Sequence, residues 1–363
     1  VLPATIHLDE ITLATVSATR IEHLSRAELA TLFRDVRSGA REHLGALEGV
    51  GALLVDLDAG RDVKLGAVPR LLATVVVGFG RRGPTPTDLD GLDVILSEEP
   101  GPGAIVVDDP AQQAEELAGK IDRSAPAAVT LVQVLRSGEH LEASEALLYE
   151  SLAYSTLQSG RVFGAWLAGR GAPVPDEEDG AELVLLSRRG AELEITLNRP
   201  ERRNALGARL RDALCDALEV AAADPGVGSV ILSGAGPSFS SGGDLNEFGS
   251  AADGALAHLV RTTRSPGARL AALRQVATAR IHGACIGAGI ELPAFAGRVE
   301  ARRDTRIALP EVAMGLIPGA GGTVSIPRRV GRHRTGWLAL SGEEIGAEVA
   351  LEWGLVDHLE ADA

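Results

Sequence analysis

Only two cysteines, Cys215 and Cys285, occur in 363 residues. They are too few and too far apart for a disulfide framework, so both are expected as buried free thiols. Aromatic residues make up 3% of the chain, which leaves the core to Ala, Val, Leu and Ile. No apolar run reaches the roughly 18 residues that a membrane-spanning helix needs, and the first residues lack a basic-then-apolar leader pattern. Basic residues are outnumbered 35 to 50, giving a formal net charge of −15. Such a chain is a poor general binder of nucleic acid or of an anionic membrane surface. These absences describe a cytoplasmic, soluble globular protein with neither nucleic acid nor membrane as partner. One local exception is the basic cluster Arg328, Arg329, Arg332 and Arg334 with His333. It is either a place where an anionic substrate docks or an ordinary solvated helix face.

Glycine, by contrast, is abundant at 43 residues and is clustered, marking places where the backbone turns tightly or approaches a ligand. The stretch Gly171-Ala-Pro-Val-Pro-Asp-Glu-Glu-Asp-Gly180 has two prolines, four acids and no apolar periodicity. It predicts a linker at 171–180 between halves 1–170 and 181–363. In the second half, Leu183–Leu186 and Leu193–Leu197 predict a hairpin through Ser187–Gly190, and residues 204–222 carry leucines at helical spacing. Strands are expected at Val227–Leu232 and Val276–Ile281, and Gly283–Phe295 reads as a turn opening a helix. Strands alternating with helices argue an α/β arrangement. The first half repeats part of this order. After a helix over Leu24–Leu47, Gly49–Asp56 resembles Gly226–Ser233, and Leu72–Gly78 parallels Val276–His282, as in a decayed internal duplication.

Gly78-Phe-Gly80-Arg-Arg-Gly83 fits the dinucleotide-binding glycine string, but that string works only where its last glycine lies in a helix. Pro84 and Pro86 prevent such a helix, so no nicotinamide or flavin cofactor is expected. Three segments of the second half carry stronger signals. In Phe239-Ser-Ser-Gly242-Gly243-Asp244-Leu245, paired glycines let a peptide N–H face a pocket, and Asp244 can cap the turn after it. His282-Gly283-Ala-Cys-Ile-Gly287-Ala288-Gly289-Ile-Glu291 places unpaired N–H groups at a helix start, which suits an oxyanion. Leu309-Pro310-Glu311 is followed by Leu316-Ile-Pro-Gly-Ala-Gly-Gly-Thr323. Ser240 and Ser241 have no nucleophile elbow around them, and His282 and Cys285 read as packing rather than as metal ligands.

Residues 181–358 resemble the enoyl-CoA hydratase/isomerase (crotonase) family. The resemblance rests on Leu197-Asn-Arg-Pro200 with Asn204-Ala-Leu206, on the three segments above, and on Leu340-Ser-Gly342 and Trp353-Gly-Leu-Val-Asp357. It implies an α/β crotonase-like spiral of ββα units in two halves, one degenerate and one catalytic. It also implies a thioester carbonyl held by the N–H groups of Gly243 and Ala288, an alanine where the family usually has glycine. Such a hole stabilises enolate-like charge, and losing one donor raises the barrier by about 3 kcal/mol. Glu291 and Glu311 fall at the hydratases' two glutamate positions. Glu311 is assigned the α-carbon proton and Glu291 the water, with a shared, concerted role as the alternative. Arg203 and Ala205 match positions that touch the CoA arm, Arg203 otherwise being a surface arginine. Gly242, Asp244, Leu245 and Gly287 complete the implied substrate-binding set.

The family's members continue past the Gly-Leu-Val-Asp segment with helices that cover the site and build a trimer. Here such helices are expected earlier, at residues 110–169. The first half therefore looks like a crotonase domain that kept its tail but lost its active centre, its tail helices substituting for those absent after the second half. The competing reading is a separate regulatory or partner-binding domain. The function expected is hydration of a 2-enoyl-CoA, with no cofactor beyond the coenzyme A of the acyl-CoA substrate. Isomerisation, thioester hydrolysis, other CoA-ester chemistry and non-catalytic CoA-ester binding or scaffolding are the alternatives. A homo-oligomer is implied, the trimer being the family's habit.

Overall fold

The computed structural model describes residues 21–37, 45–171, 182–251 and 253–360. The chain forms two compact units, residues 1–129 and 130–363. That division precedes the acidic segment 171–180, of which all but Gly171 lies outside the described residues.

In the first unit, β1 (Glu22–Leu24), β2 (Ala52–Asp56), β3 (Val75–Gly80), β4 (Val94–Ser97) and β5 (Ile105–Val106) form one parallel sheet in sequence order. Helices α1 (Arg26–Arg37), α2 (Pro86–Leu89) and α3 (Pro110–Arg123) connect and follow them. The middle strands are aliphatic because a parallel sheet is buried on both faces. Leu29, Leu32 and Phe33 of α1 pack with Leu53, Val55, Val76 and Ile95 in one core. Of the helix expected over 24–47, α1 takes Arg26–Arg37, Leu24 ends β1, Ala46–Glu48 form a 3-10 turn, and 38–44 lie outside the described residues. Gly83 belongs to no helix; α2 begins at Pro86, capped by Thr85, so the glycine string makes no pyrophosphate cradle.

The second unit opens with helices. The division falls inside α4 (Ala125–Gly138); α5 (Ala143–Gln158) and α6 (Arg161–Gly169) follow. Next come β6 (Val184–Arg189), β7 (Glu192–Leu197), α7 (Ala208–Ala223), β8 (Ser229–Gly234), α8 (Gly254–Thr263), α9 (Pro266–Ala272) and β9 (Ala277–Ile281). The chain continues through β10 (Ala284–Ile286), α10 (Ala288–Glu291), β11 (Arg298–Ala301) and β12 (Arg306–Ala308). It ends with α11 (Gly322–Ser325), α12 (Pro327–Ser341), β13 (Ile345–Gly346), α13 (Ala347–Trp353) and β14 (His358–Leu359). The main sheet runs β14-β11-β9-β8-β7-β6, with only β6 antiparallel; β10, β12 and β13 form a small second sheet.

The strands β7, β8, β9, β11 and β14 are parallel and in sequence order, as β1 to β5 are, and α7 stands where α1 stands. The echo between 49–56 and 226–233, and between 72–78 and 276–282, falls on neighbouring parallel pairs in each unit. Leu53 pairs with Val76, and Ile231 with Thr278. The units differ in the connections. β3 reaches β4 through α2 alone, whereas β9 reaches β11 through β10 and α10.

Two local expectations change. The helix expected from residue 204 starts at Ala208, because Arg203 and Asn204 hold left-handed φ values of 50° and 52° and Leu206 bridges to Gly243. The basic cluster on α12 is neither a solvated face nor an open anion site, because α12 is kinked at Gly331 and its arginines are already engaged. Arg328 donates to the Val324 and Leu141 carbonyls, Arg329 to Asp357 and the Ala294 and Ala296 carbonyls, and Arg332 pairs with Glu139. Arg334 lies over the Trp353 ring. Both cysteines are free and buried. No helix among the described residues is long and apolar enough to cross a membrane.

Candidate active site

Two loops at the ends of β8 and β9 are fastened side by side, and the fastening explains several polar residues. Asn204, buried despite its polarity, accepts from the Arg199 N–H through Oδ1 and donates through Nδ2 to the Ala235, Ser238 and Phe239 carbonyls. Ser240 bridges Cys285: its N–H donates to the Ala284 carbonyl, and its carbonyl accepts from Ile286. Its hydroxyl donates to the Asn204 carbonyl at 2.8 Å and accepts from Gly242. Ser240 is thus a pin between loops, in line with the absence of a nucleophile elbow. Gly242, at φ 93°, lies so close to the next loop that a Cβ would stand 2.7 Å from the Ile286 carbonyl oxygen.

The Gly242 carbonyl accepts from Leu206 N–H at 2.7 Å, and Asp244 N–H donates back to Leu206. In a trans peptide the carbonyl and the following N–H point oppositely, so the Gly243 N–H faces away from Leu206. Asp244 pairs with Arg199 at 2.7 Å in a buried ion pair and caps the Asn246 N–H, holding this loop in place. On the adjoining loop the Gly287 carbonyl accepts from both Ile290 and Glu291 N–H at 2.9 Å. The same rule then turns the Ala288 N–H outward from the start of α10. Gly243 and Ala288 follow Gly242 and Gly287, and a Cβ on Gly242 would stand 3.8 Å from Gly287 Cα, so their N–H groups stand at neighbouring places on the two loops.

Three buried carboxylates meet here. Glu291 is 2% exposed, Glu311 9% and Glu150 2%. Gly287 has a φ of 51°, and a Cβ there would collide with Glu311 Oε1 and stand 3.8 Å from Glu291 Oε1. Both sequence-predicted glutamates therefore converge on the residue preceding Ala288. Glu291 Oε2 accepts from the Ala320 and Gly322 amides at 2.7 and 2.8 Å. Burial pushes this carboxyl up to about 7, against the opposing pull of those two amides. Glu311 Oε2 is buried with no hydrogen-bond partner among the described residues. Burial first, then the charges of Glu291 and Glu150, hold Glu311 well above the usual carboxylate range.

Glu150, which sequence reasoning missed, comes from α5. Its Oε1 accepts from Gly321 N–H at 2.8 Å, and its Oε2 accepts from Thr323 N–H at 3.0 Å and Thr323 Oγ1 at 2.7 Å. Burial, then repulsion from Glu291, push it up to about 8, partly offset by these bonds. The one available signal was its place on a buried helical stripe with Ala146 and Leu157, where a charge needs a partner. That partner lies 173 residues away, beyond the reach of local pattern. Tyr154, one turn on, packs against Gly319, with Arg261 of α8 4.6 Å over its ring. From α6, Trp166 lies 5.9 Å from the Phe248 ring, and Phe248 packs against Gly243. Helix α5 thus packs on the Gly319–Thr323 turn, and α6 packs against the loop of Gly243 through Phe248.

Of the remaining sequence candidates, Arg203 is exposed at its left-handed turn, Ala205 half-buried beside it and Leu245 exposed. His282 Nε2 meets the Gly236 carbonyl at 2.9 Å, and Cys285 Sγ–H points at the His282 carbonyl, so both pack the turn. Among the described residues no cluster of His, Cys, Asp and Glu is arranged to hold a metal ion.

The sequence signature of the enoyl-CoA hydratase/isomerase family matches residues 188–363. The chain is 39% identical over 177 residues to a 2,3-dehydroadipyl-CoA hydratase of Escherichia coli (strain K12), a match covering 48% of this chain and 68% of that protein. It is 34% identical over 181 residues to a 1,2-epoxyphenylacetyl-CoA isomerase of the same organism, covering 48% and 68%. Other curated relatives are spanned over 62% to 69% of their length. A crystal structure of an enoyl-CoA hydratase from Thermoplasma volcanium GSS1 is 33% identical, with a TM-score of 0.46 over 50% of this chain and 73% of that one. On its identity to these two Escherichia coli proteins, each spanned over two thirds of its length, the chain belongs to the enoyl-CoA hydratase/isomerase family.

Proposed function

We propose that the protein is an enoyl-CoA hydratase, adding water across the double bond of a 2-enoyl-CoA. The observation that carries the reading is the convergence of Glu291 and Glu311 on Gly287, beside the outward N–H groups of Gly243 and Ala288. The hydratase relative acting on a dehydroadipyl-CoA points the same way. In this reading the thioester oxygen accepts from the Gly243 and Ala288 N–H groups. Ionised Glu291, its Oε2 fixed by two amides, takes a proton from water as the water oxygen bonds to the β-carbon. The electron pair of the double bond moves onto the thioester as an enolate, stabilised by the two donors. Protonated Glu311 then delivers its proton to the α-carbon. Glu291 ends protonated and Glu311 ionised, and one proton passing back resets the pair.

Exposed Arg203 is assigned a contact with a CoA phosphate, with Ala205, Gly242, Asp244, Leu245 and Gly287 shaping the rest of the binding path. The first unit is assigned a structural role, its connection from β3 to β4 having no counterpart of α10. A cytoplasmic homo-oligomer, the trimer foremost, is the proposed assembly; a monomer in sedimentation equilibrium would exclude it.

Loss of the enoyl-thioester absorbance of crotonyl-CoA tests the reaction. Wild type is expected to turn over, and Glu291→Gln and Glu311→Gln each to lose at least about 100-fold in kcat, as removal of a positioned acid or base does. Full activity in both variants refutes the pair. Binding of crotonyl-CoA without turnover in wild type refutes hydration and favours isomerisation, thioester hydrolysis or a non-catalytic CoA-ester role.

A further inference from the structure

Four consecutive amides of one glycine-rich turn are shared between two carboxylates in strict alternation. Ala320 and Gly322 donate to Glu291 Oε2; Gly321 and Thr323 donate to the two oxygens of Glu150. Because the four amides alternate between two different carboxyl groups, the backbone cannot shift toward one without leaving the other. Gly321, at φ 109°, supplies the backbone turn this requires. The Thr323 hydroxyl adds a further bond to Glu150.

We propose that Glu150 is a positioning residue of the Glu291/Glu311 site, gripping the Gly321 and Thr323 amides from the α5 side so that the alternating Ala320 and Gly322 amides fix Glu291, and standing as a third carboxyl group beside the pair. The proposal rests on the hydratase reading for what Glu291 and Glu311 do, and on geometry alone for the clamp. It has two consequences. Glu291 keeps one oriented oxygen for water because its other oxygen is tied to a turn that cannot move. Glu311 is kept protonated for delivery to the α-carbon first by its burial, then by the charge of Glu291 and, once it ionises above about 8, by that of Glu150. The groups facing Glu150 are Glu291 from α10, Glu311 from the turn after β12, Thr323 from α11, Tyr154 from its own helix and Arg261 from α8. Arg261 is the one cation among them. It sits over the Tyr154 ring and donates to Ser151 and Ser155, not to a carboxylate.

In Glu150→Gln the side chain keeps its size but loses its charge, and an NH2 group now faces either the Gly321 or the Thr323 donor. Thr323→Val removes a single bond to Glu150 and keeps the buried volume, so it stands as the milder variant should the first misfold. With crotonyl-CoA, Glu150→Gln is expected to lower kcat about 10- to 100-fold, as a misplacement near 1 Å does, with KM little changed. The alkaline limb of its kcat/KM profile moves to lower pH, because Glu311 ionises more readily, while the acid limb set by Glu291 stays. Thr323→Val moves kcat in the same direction by a smaller factor. A residue that only supports the fold would lower the melting temperature and leave both limbs in place. A folded Glu150→Gln protein with unchanged kcat and an unmoved alkaline limb overturns the proposal.

Amide hydrogen exchange across 320–323 separates this proposal from the reading beneath it. If wild type hydrates no enoyl-CoA, the reading fails, and the clamp is still decided. Faster exchange at Ala320 and Gly322 in Glu150→Gln supports the clamp, and unchanged exchange there refutes it.

Discussion

Gly322 is the position where a single methyl group interrogates the site most directly. Its N–H holds Glu291, and its Cα faces the same side chain. A Cβ at Gly322 would stand 2.6 Å from Glu291 Cγ, 2.8 Å from Glu291 Oε2 and 2.8 Å from Pro318 Cβ. Ordinary contact begins at 3.4 Å, so the glutamate has to yield by several tenths of an ångström. Glu291 is only 2% exposed, and its carboxylate is tied to two amides, so it cannot retreat without breaking them. The backbone of Gly322 is not left-handed, which excludes strain as the cause of any effect. Overpacking of this kind costs about 1–3 kcal/mol of stability, and a displacement approaching 1 Å at a reacting group costs up to about 100-fold in rate. The expected result for Gly322→Ala is therefore a folded protein, modestly less stable, with kcat for crotonyl-CoA down about 30- to 100-fold. The control is Gly164→Ala in α6, where a Cβ meets nothing within 4 Å. That change is expected to stabilise by about 0.5–1 kcal/mol, the usual gain of Ala over Gly in a helix, with kcat untouched. Stopped-flow or steady-state absorbance with thermal melts on both variants decides it. A Gly322→Ala enzyme within about threefold of wild type in kcat refutes the claim that a rigid Glu291 is needed.

Thermal stability carries the second prediction, through the same carboxylates. Glu291 at about 7 and Glu150 at about 8 bind protons more tightly folded than unfolded, where the ordinary value is 4.5. Between pH 5 and pH 8 the folded chain thus holds more protons, and its stability falls as pH rises through those values; Glu291→Gln is expected to flatten the decline in melting temperature, and an identical slope in wild type and variant refutes it. Deletion of residues 1–170 removes α5 and α6, and with them Glu150 and the Trp166 cover over Phe248. The remnant is expected to be insoluble or inactive, and a soluble, fully active one refutes the assignment of those helices to the site.

How much of this site is readable from sequence depends on how far apart the interacting residues lie. The loops carrying Gly243 and Ala288 were legible because each is a local device. A glycine pair or a helix start declares its backbone geometry within a few residues. Glu291 and Glu311 were legible only through resemblance, since a glutamate in a first turn is ordinarily there for the helix dipole. The strand pairs of the two units were legible because an aliphatic run ending in glycine has few other readings. Local pattern misjudged the residues whose role is set by remote partners. Arg328, Arg329, Arg332 and Arg334 looked like one basic cluster, yet the kink at Gly331 and the partners Leu141, Asp357, Glu139 and Trp353 scatter them. Nothing local singles out Glu150, and only the fold brings it to Thr323. Nothing in packing requires a helix that packs on these turns to come after the strands in sequence. In this chain α5 and α6 precede the sheet they serve, and the buried carboxylate between Gly321 and Thr323 ties that earlier segment to the later one. A covering helix that only excluded water would need no charge there. The presence of Glu150, buried and bonded through both oxygens, therefore argues that α5 has become part of the chemistry's framework and is more than its lid.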